Sequence, residues 1–207
     1  MLYSELQCSE AIHKAVERMG FAEMTEIQEK TIPVMLAGHD VIAKAPTGTG
    51  KTCAFGIPVA EHILPENKYP QAVIMAPTRE LAQQIAQELE ELTYFMPEVQ
   101  VACVYGGANM EKQAKRLAEG CQIVVATPGR LMDHYKHHSI DISHVTQIVL
   151  DEADEMLNMG FYKDVRHIIE MMKARKALSM FSATISREVM DIGWLYQHNA
   201  EEITVQP

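Results

Sequence analysis

The chain has 207 residues, 47% of them apolar and 22% charged, with a formal charge of −10. This length and apolar content support a sizeable globular core and exclude a disordered chain, while the acidic balance weighs against a general nucleic-acid binder. Any nucleic-acid contact would need a local surface of basic or backbone N–H groups. No apolar run approaches the roughly 20 residues that span a bilayer. The start, Met1-Leu2-Tyr3-Ser4-Glu5, lacks the basic and apolar regions of a secretory signal, which points to the cytoplasm. Cys8, Cys53, Cys103 and Cys121 form no C-x-x-C pair, so free thiols in a reducing compartment are expected and a zinc site is not.

From the N-terminus, Ser9 to Met19 reads as an amphipathic helix. Ser9 caps it, Ile12, Val16 and Met19 share a face, and Gly20 ends it. In Gly20-Phe21-Ala22-Glu23-Met24-Thr25-Glu26-Ile27-Gln28, Phe21 offers a flat face for a base, and the Gln28 amide has the donor and acceptor that adenine's edge requires. Thr25-x-x-Gln28 also fits a helix capping box, and Thr25 to Leu36 reads as a short helix. Apolar, β-compatible runs then recur at 41–45, 71–76, 99–105, 121–126, 146–150 and 177–181, with a last short one at 202–206. Helix-period segments separate most of them. The clearest is 80–95, where Leu81, Ile85, Leu89 and Leu92 fall on one stripe. Apolar strands alternating with helices predict an α/β fold with a parallel sheet covered on both faces, and ligands in such sheets bind at the carboxyl ends of the strands.

Those ends carry the unusual residues. Ala45-Pro46-Thr47-Gly48-Thr49-Gly50-Lys51-Thr52 joins the first core strand to a helix. Its N–H groups can surround a phosphate chain, Lys51 can reach the outer phosphates and the Thr52 hydroxyl can hold Mg²⁺, although Ala45 stands where the G-x-x-x-x-G-K-[ST] pattern has glycine. Asp151-Glu152-Ala153-Asp154 follows the strand Ile148-Val149-Leu150, where one carboxylate can hold a cation and the next can orient and deprotonate a water. Pro77-Thr78-Arg79-Glu80 and Thr127-Pro128-Gly129-Arg130 each follow a strand and open a helix, with Thr78 and Thr127 as caps and an arginine facing outward. Tyr105-Gly106-Gly107 lies at a third strand end, where the glycines allow a backbone to approach. Each of these is also ordinary turn chemistry; together they suit the phosphates of a polymer read without its bases. Ser182-Ala183-Thr184 ends another strand, within reach of the acidic cluster. His134, His137 and His138 show no ligand spacing and read as a solvated helix end, and Trp194, with Ile192 and Leu195, reads as core packing.

This order of motifs resembles the N-terminal RecA-like domain of DEAD-box RNA helicases, from about Tyr3 to Thr184, and includes the literal Asp-Glu-Ala-Asp. The resemblance implies a three-layer, RecA-like P-loop NTPase fold as one domain, with residues 1–36 as an adenine-recognition region and 37–207 as the core. The short N-terminus is similar to that of the bacterial branch. The resemblance assigns Phe21 and Gln28 to adenine, and Thr47, Gly48, Thr49, Gly50, Lys51 and Thr52 to the phosphates of ATP. Thr52 and Asp151 go to Mg²⁺, and Lys51, Asp151 and Glu152 to hydrolysis. RNA contact falls to Pro77, Thr78, Arg79, Gly106, Gly107, Thr127, Pro128, Gly129 and Arg130. Asp154, Ser182 and Thr184 link hydrolysis to unwinding. Ala45 is ordinary in this family; Met24 departs from its usual proline, with base recognition expected to survive.

The family's second RecA-like domain, with its arginine-rich motif, has no counterpart before Pro207. The chain is therefore expected to be the monomeric, ATP-binding half of an RNA-stimulated ATPase, binding nucleotide but barely unwinding on its own. Two other classes remain: a non-catalytic ATP-gated RNA clamp, and a small P-loop kinase, for which no acceptor-pocket or lid sequence is found.

Overall fold

The computed structural model describes residues 1–46 and 50–206. Its strands are β1 (Val41–Lys44), β2 (Ala72–Met75), β3 (Val101–Val104), β4 (Ile123–Ala126), β5 (Gln147–Asp151), β6 (Ala177–Ser182) and β7 (Glu201–Thr204). The helices are α1 (Glu10–Arg18), α2 (Glu26–Leu36), α3 (Lys51–Glu61), α4 (Arg79–Leu92), α5 (Met110–Ala118), α6 (Pro128–Lys136), α7 (Ala153–Asn158), α8 (Tyr162–Met171) and α9 (Arg187–Tyr196). Among the described residues the strands form one seven-stranded sheet in the order β3-β4-β2-β5-β6-β1-β7, and every pairing is parallel. The predicted parallel α/β architecture is therefore observed. No described helix is long and apolar enough to cross a membrane.

The strand period of two sorts side chains into two cores. Ile74, Ile123 and Val125 pack with α2, α3 and α4 on one face, while Val73, Met75, Val124 and Ala126 pack with α6, α7, α8 and α9 on the other. Strands buried on both faces need apolar residues throughout, which is why these segments read as continuous runs. Register then fixes the functional edge. Lys44 pairs with Ser182, Asp151 with Phe181, Met75 with both Leu150 and Ala126, and Val104 with Ala126. The carboxyl ends of β1 to β6 thus lie side by side.

Helix α4 stops at Leu92, earlier than its apolar period suggests, and at its C-cap the Thr93 hydroxyl bonds back to the Leu89 carbonyl (2.8 Å). Trp194 corrects an expectation: it is 80% exposed, and Leu195 is also exposed, while Ile192 alone of the three is buried. A ten-residue amphipathic helix buries one face, and positions 194 and 195 fall on the other.

At the opposite edge of the sheet, buried Asp40 fastens three strands. Its carboxylate accepts N–H bonds from Leu178 (3.0 Å) and His198 (2.8 Å), and its carbonyl accepts from Glu201 (2.9 Å). Asp40→Ala would leave the buried Leu178 N–H and the part-buried His198 N–H without their acceptor and should lower unfolding free energy by about 1–3 kcal/mol in chemical denaturation. Unchanged stability would contradict this fastening role.

Candidate nucleotide-binding site

The loop after β1 begins inside the core. Ala45 is buried, and its N–H bonds to the Ser182 carbonyl (2.9 Å), so a small side chain suits the position. Thr47, Gly48 and Thr49 lie outside the described residues. Gly50 caps α3 at φ 82°, and a Cβ there would sit 2.6 Å from Gln28 Nε2. Left-handed backbone and close approach both demand glycine. Lys51 follows, buried, and its Nζ has no hydrogen-bond partner among the described residues. A buried ammonium without a partner is costly, and the free amides of a helix N-terminus add positive potential beside it. Both features fit a polyphosphate.

Asp151 closes β5, buried, and burial pushes its carboxyl up to about 6. Lys51 and the Glu152 N–H, 3.0 Å from Asp151 Oδ1, work against that rise. Glu152 caps α7 in the left-handed region (φ 49°), an uncommon conformation for a residue with a side chain, and burial and Asp151 raise its carboxyl. A second carboxylate that sequence reasoning missed is Glu88 on α4. Half-buried, it is raised by burial and held back by the Thr52 hydroxyl, and it contributes to the rise at Asp151. The available signal was its spacing: seven residues after Leu81, it occupies the apolar stripe. Among the described residues no group of three or more His, Cys, Asp or Glu side chains could hold a metal ion. A cation at Asp151 and Thr52 would therefore complete its shell with phosphate oxygens and water, as Mg²⁺ commonly does.

Gln28 makes the capping box and also reaches the phosphate loop. Its Oε1 accepts from the Thr25 N–H (3.0 Å) and from the Tyr3 hydroxyl, and its Nε2 donates to the Gly50 carbonyl (3.1 Å). The cap and a link to the loop coexist in one side chain, and one Nε2 hydrogen has no partner among the described residues. Phe21 is exposed and stacks on Tyr3, with ring centroids 6.2 Å apart. Met24 supplies something proline could not: its N–H bonds to the Met1 carbonyl (2.9 Å).

The other strand ends lie along the same edge. Pro77 is buried, and Thr78 caps α4 by accepting from the Leu81 N–H (3.2 Å). Arg79 is exposed, its guanidinium 4.7 Å from the centroid of the Tyr105 ring, and Gln83 Nε2 donates to the Tyr105 hydroxyl (3.1 Å). Gly106 and Gly107 are exposed, Gly107 at φ 85°. Pro128 opens α6 as expected, but the Thr127 side chain makes no capping bond. Gly129 is half-buried.

Arg130 does not simply face outward. Its side chain is 13% exposed, and Nη1 donates to the Ala108 carbonyl and to Gln113 Oε1, both at 3.0 Å. His134 is a further correction: it is fully buried one turn along α6, whereas His137 and His138 are exposed. The charge of its neighbours hid its position on the inner face of the helix.

Asp154, Ser182 and Thr184 do come together. The Asp154 N–H donates to Ser182 Oγ (3.1 Å), and Asp154 Oδ2 accepts from the Thr184 hydroxyl (2.7 Å) and N–H (3.1 Å). Burial acts to raise the Asp154 carboxyl, but these accepted bonds outweigh it and hold it below its ordinary value. A depressed carboxyl stabilises the fold above its unfolded pKa and loses that contribution as pH falls through the folded value. Thr184→Val should therefore cost about 0.5–1 kcal/mol at pH 7, with the gap to the parent closing below about pH 4. A gap that is equal at pH 7 and pH 3 would contradict the assignment.

Residues 25–192 match the DEAD/DEAH box helicase family. The chain is 46% identical over 206 residues to the ATP-dependent RNA helicase CshA of Limosilactobacillus reuteri, covering 100% of this chain and 41% of that protein. It is 47% identical over 204 residues to the protein of the same name from Listeria monocytogenes, covering 99% of this chain and 39% of that protein. A solved DEAD box protein from Methanococcus jannaschii superposes with a TM-score of 0.92 at 39% identity, over 100% of this chain and 56% of that one. The chain thus spans about two-fifths of the length of these curated relatives. It belongs to the DEAD/DEAH box helicase family.

Proposed function

We propose that this chain is the ATP-binding half of an RNA-stimulated ATPase that separates short RNA duplexes, working in the cytoplasm. One observation carries the proposal most directly: a buried Lys51 ammonium with no hydrogen-bond partner among the described residues, within electrostatic reach of buried Asp151, at a glycine-entered helix start.

Phe21 stacks on the adenine, and the uncommitted Gln28 N–H meets its edge. The amides of Thr47, Gly48, Thr49 and Gly50 surround the phosphates, and Lys51 neutralises the outer ones. Thr52 and Asp151 hold Mg²⁺, which when bound offsets phosphate charge. Glu152 orients the attacking water and takes its proton, then releases it to return to the carboxylate; its raised carboxyl makes it the better proton acceptor.

Along the same edge, Pro77, Thr78, Arg79, Gly106, Gly107, Thr127, Pro128, Gly129 and Arg130 form a track for an RNA backbone. Phosphates there meet helix N-termini and glycine amides, which explains how an acidic chain holds a polyanion. Asp154, bonded to Ser182 and Thr184, passes the state of the acidic turn to β6. A second RecA-like domain, outside this chain, supplies the arginines that complete the transition-state charge. Closure of the two domains on ATP and RNA bends one strand and parts the duplex.

In the full-length protein, Lys51→Ala should weaken ATP binding at least about tenfold by calorimetry. Glu152→Gln should leave ATP affinity within about twofold and abolish turnover. Unaltered affinity in the first variant would remove the phosphate site. Full turnover in the second would leave another base as the mechanism, and unchanged biological activity without turnover would leave the non-catalytic ATP-gated clamp.

A further inference from the structure

A buried clamp that takes no part in the phosphate chemistry sits beneath the loop between β3 and α5. Gln113, buried on α5, is its centre. Its Nε2 donates to the Tyr105 carbonyl (3.0 Å), and its Oε1 accepts from both Arg130 Nη1 (3.0 Å) and His134 Nε2 (3.1 Å). Arg130 Nη1 also donates to the Ala108 carbonyl (3.0 Å). Both ends of the Gly106–Gly107 turn are therefore held, one by Gln113 and the other by Arg130. The glycines themselves carry no side chain to fix the turn, and Gly107 needs its left-handed backbone.

The chemistry of this cluster settles the histidine's form. An arginine only donates, so the Gln113 atom facing Arg130 is the carbonyl oxygen, and the amide nitrogen faces the Tyr105 carbonyl. His134 must then present Nε2–H to that same oxygen, leaving Nδ1 as the bare nitrogen. Nδ1 is buried and has no partner among the described residues. A proton on it would be an unsatisfied buried donor beside the Arg130 guanidinium, so the ring stays neutral; burial first and Arg130 second push its pKa down.

We propose that His134 is a positioning residue for the RNA track: its Nε2–H locks Gln113, and through Gln113 it sets Arg130 and the 105–108 turn against the start of α6. The claim rests on that turn forming part of the track. His134 touches no ligand itself. Its contribution is to hold exposed backbone amides at the spacing that a phosphodiester chain meets, sparing the bound state the entropy of ordering a glycine turn.

The test uses the full-length protein and a single-stranded oligouridylate, reading RNA-stimulated ATP turnover. His134→Phe keeps a ring in the pocket and removes the donor; His134→Gln puts an amide N–H where Nε2–H was. We expect His134→Phe to raise KM for RNA about three- to tenfold, the loss of one hydrogen bond. Both kcat at saturating RNA and KM for ATP should stay unchanged, and His134→Gln should restore KM for RNA. Arg130→Ala should raise KM for RNA by itself, and adding His134→Phe to it should raise KM no further. An unchanged KM in His134→Phe, or an equal increment in the Arg130→Ala background, would overturn the proposal. So would a KM change that follows a fall in melting temperature in both His134 variants. If Arg130→Ala leaves KM for RNA unaltered, the RNA track itself is misplaced and the positioning claim falls with it, a result distinct from failure of His134 alone.

Discussion

A lysine and an aspartate, both held out of water and each within the other's electrostatic reach, set the terms for this molecule. Lys51 opens α3 and Asp151 closes β5, and both are buried. Burial opposes charge on Asp151, and the attraction of Lys51 offsets only part of that cost; its carboxyl still rises to about 6. Such an arrangement is unfavourable as a pure stability device. It becomes favourable when a polyanion and a cation bring further charges to the same place. The parallel sheet is what permits it. With every strand running one way, the ends of β1, β5 and β6 meet at one edge, and α3 starts there with its N–H groups unspent.

Hydrogen bonds carry that arrangement outward in both directions. Tyr3 donates to Gln28, Gln28 donates to Gly50, and Gly50 precedes Lys51, so the N-terminal helices and the start of α3 share one amide. On the other side Asp154 bonds to Ser182 and Thr184, and the Ser182 carbonyl accepts from Ala45 at the root of the phosphate loop. Under the proposed function, nucleotide contact at Gly50 or Lys51 would act on groups already tied to the acidic turn and to β6. The clamp of Gln113, Arg130 and His134 does the same work for the glycine turn at the end of β3. A chain with ten more acidic than basic charges holds its anion-facing groups through backbone N–H and a few supported side chains.

Local patterns in the sequence foretold local features well. Buried parallel strands are apolar on both faces, so 71–76 and 121–126 stood out as runs, and motifs at their ends could be assigned to one edge before any coordinates. Thr78 capped its helix as read, and Ser182 and Thr184 met Asp154. What stayed hidden depends on tertiary partners. The charge of Glu88 concealed its seat on the apolar stripe of α4. His134 was taken for solvent among its charged and histidine neighbours because only the packing of α6 shows which face turns inward. Trp194 erred the other way: its size suggested the core, whereas the period of α9 turns it to solvent. Asp40 gave no motif at all, since its partners, Leu178 and His198, lie more than a hundred residues away.

The most direct measurement is ATP turnover by the full-length protein alone, with single-stranded RNA, with single-stranded DNA, and with small hydroxyl-bearing acceptors. One edge that binds both a nucleotide and an RNA backbone predicts low turnover alone and several-fold stimulation by RNA. DNA should stimulate less, since it lacks the 2′-hydroxyl, and no phosphate should pass to the small acceptors. Turnover indifferent to RNA, or phosphate delivered to a small acceptor, would contradict it.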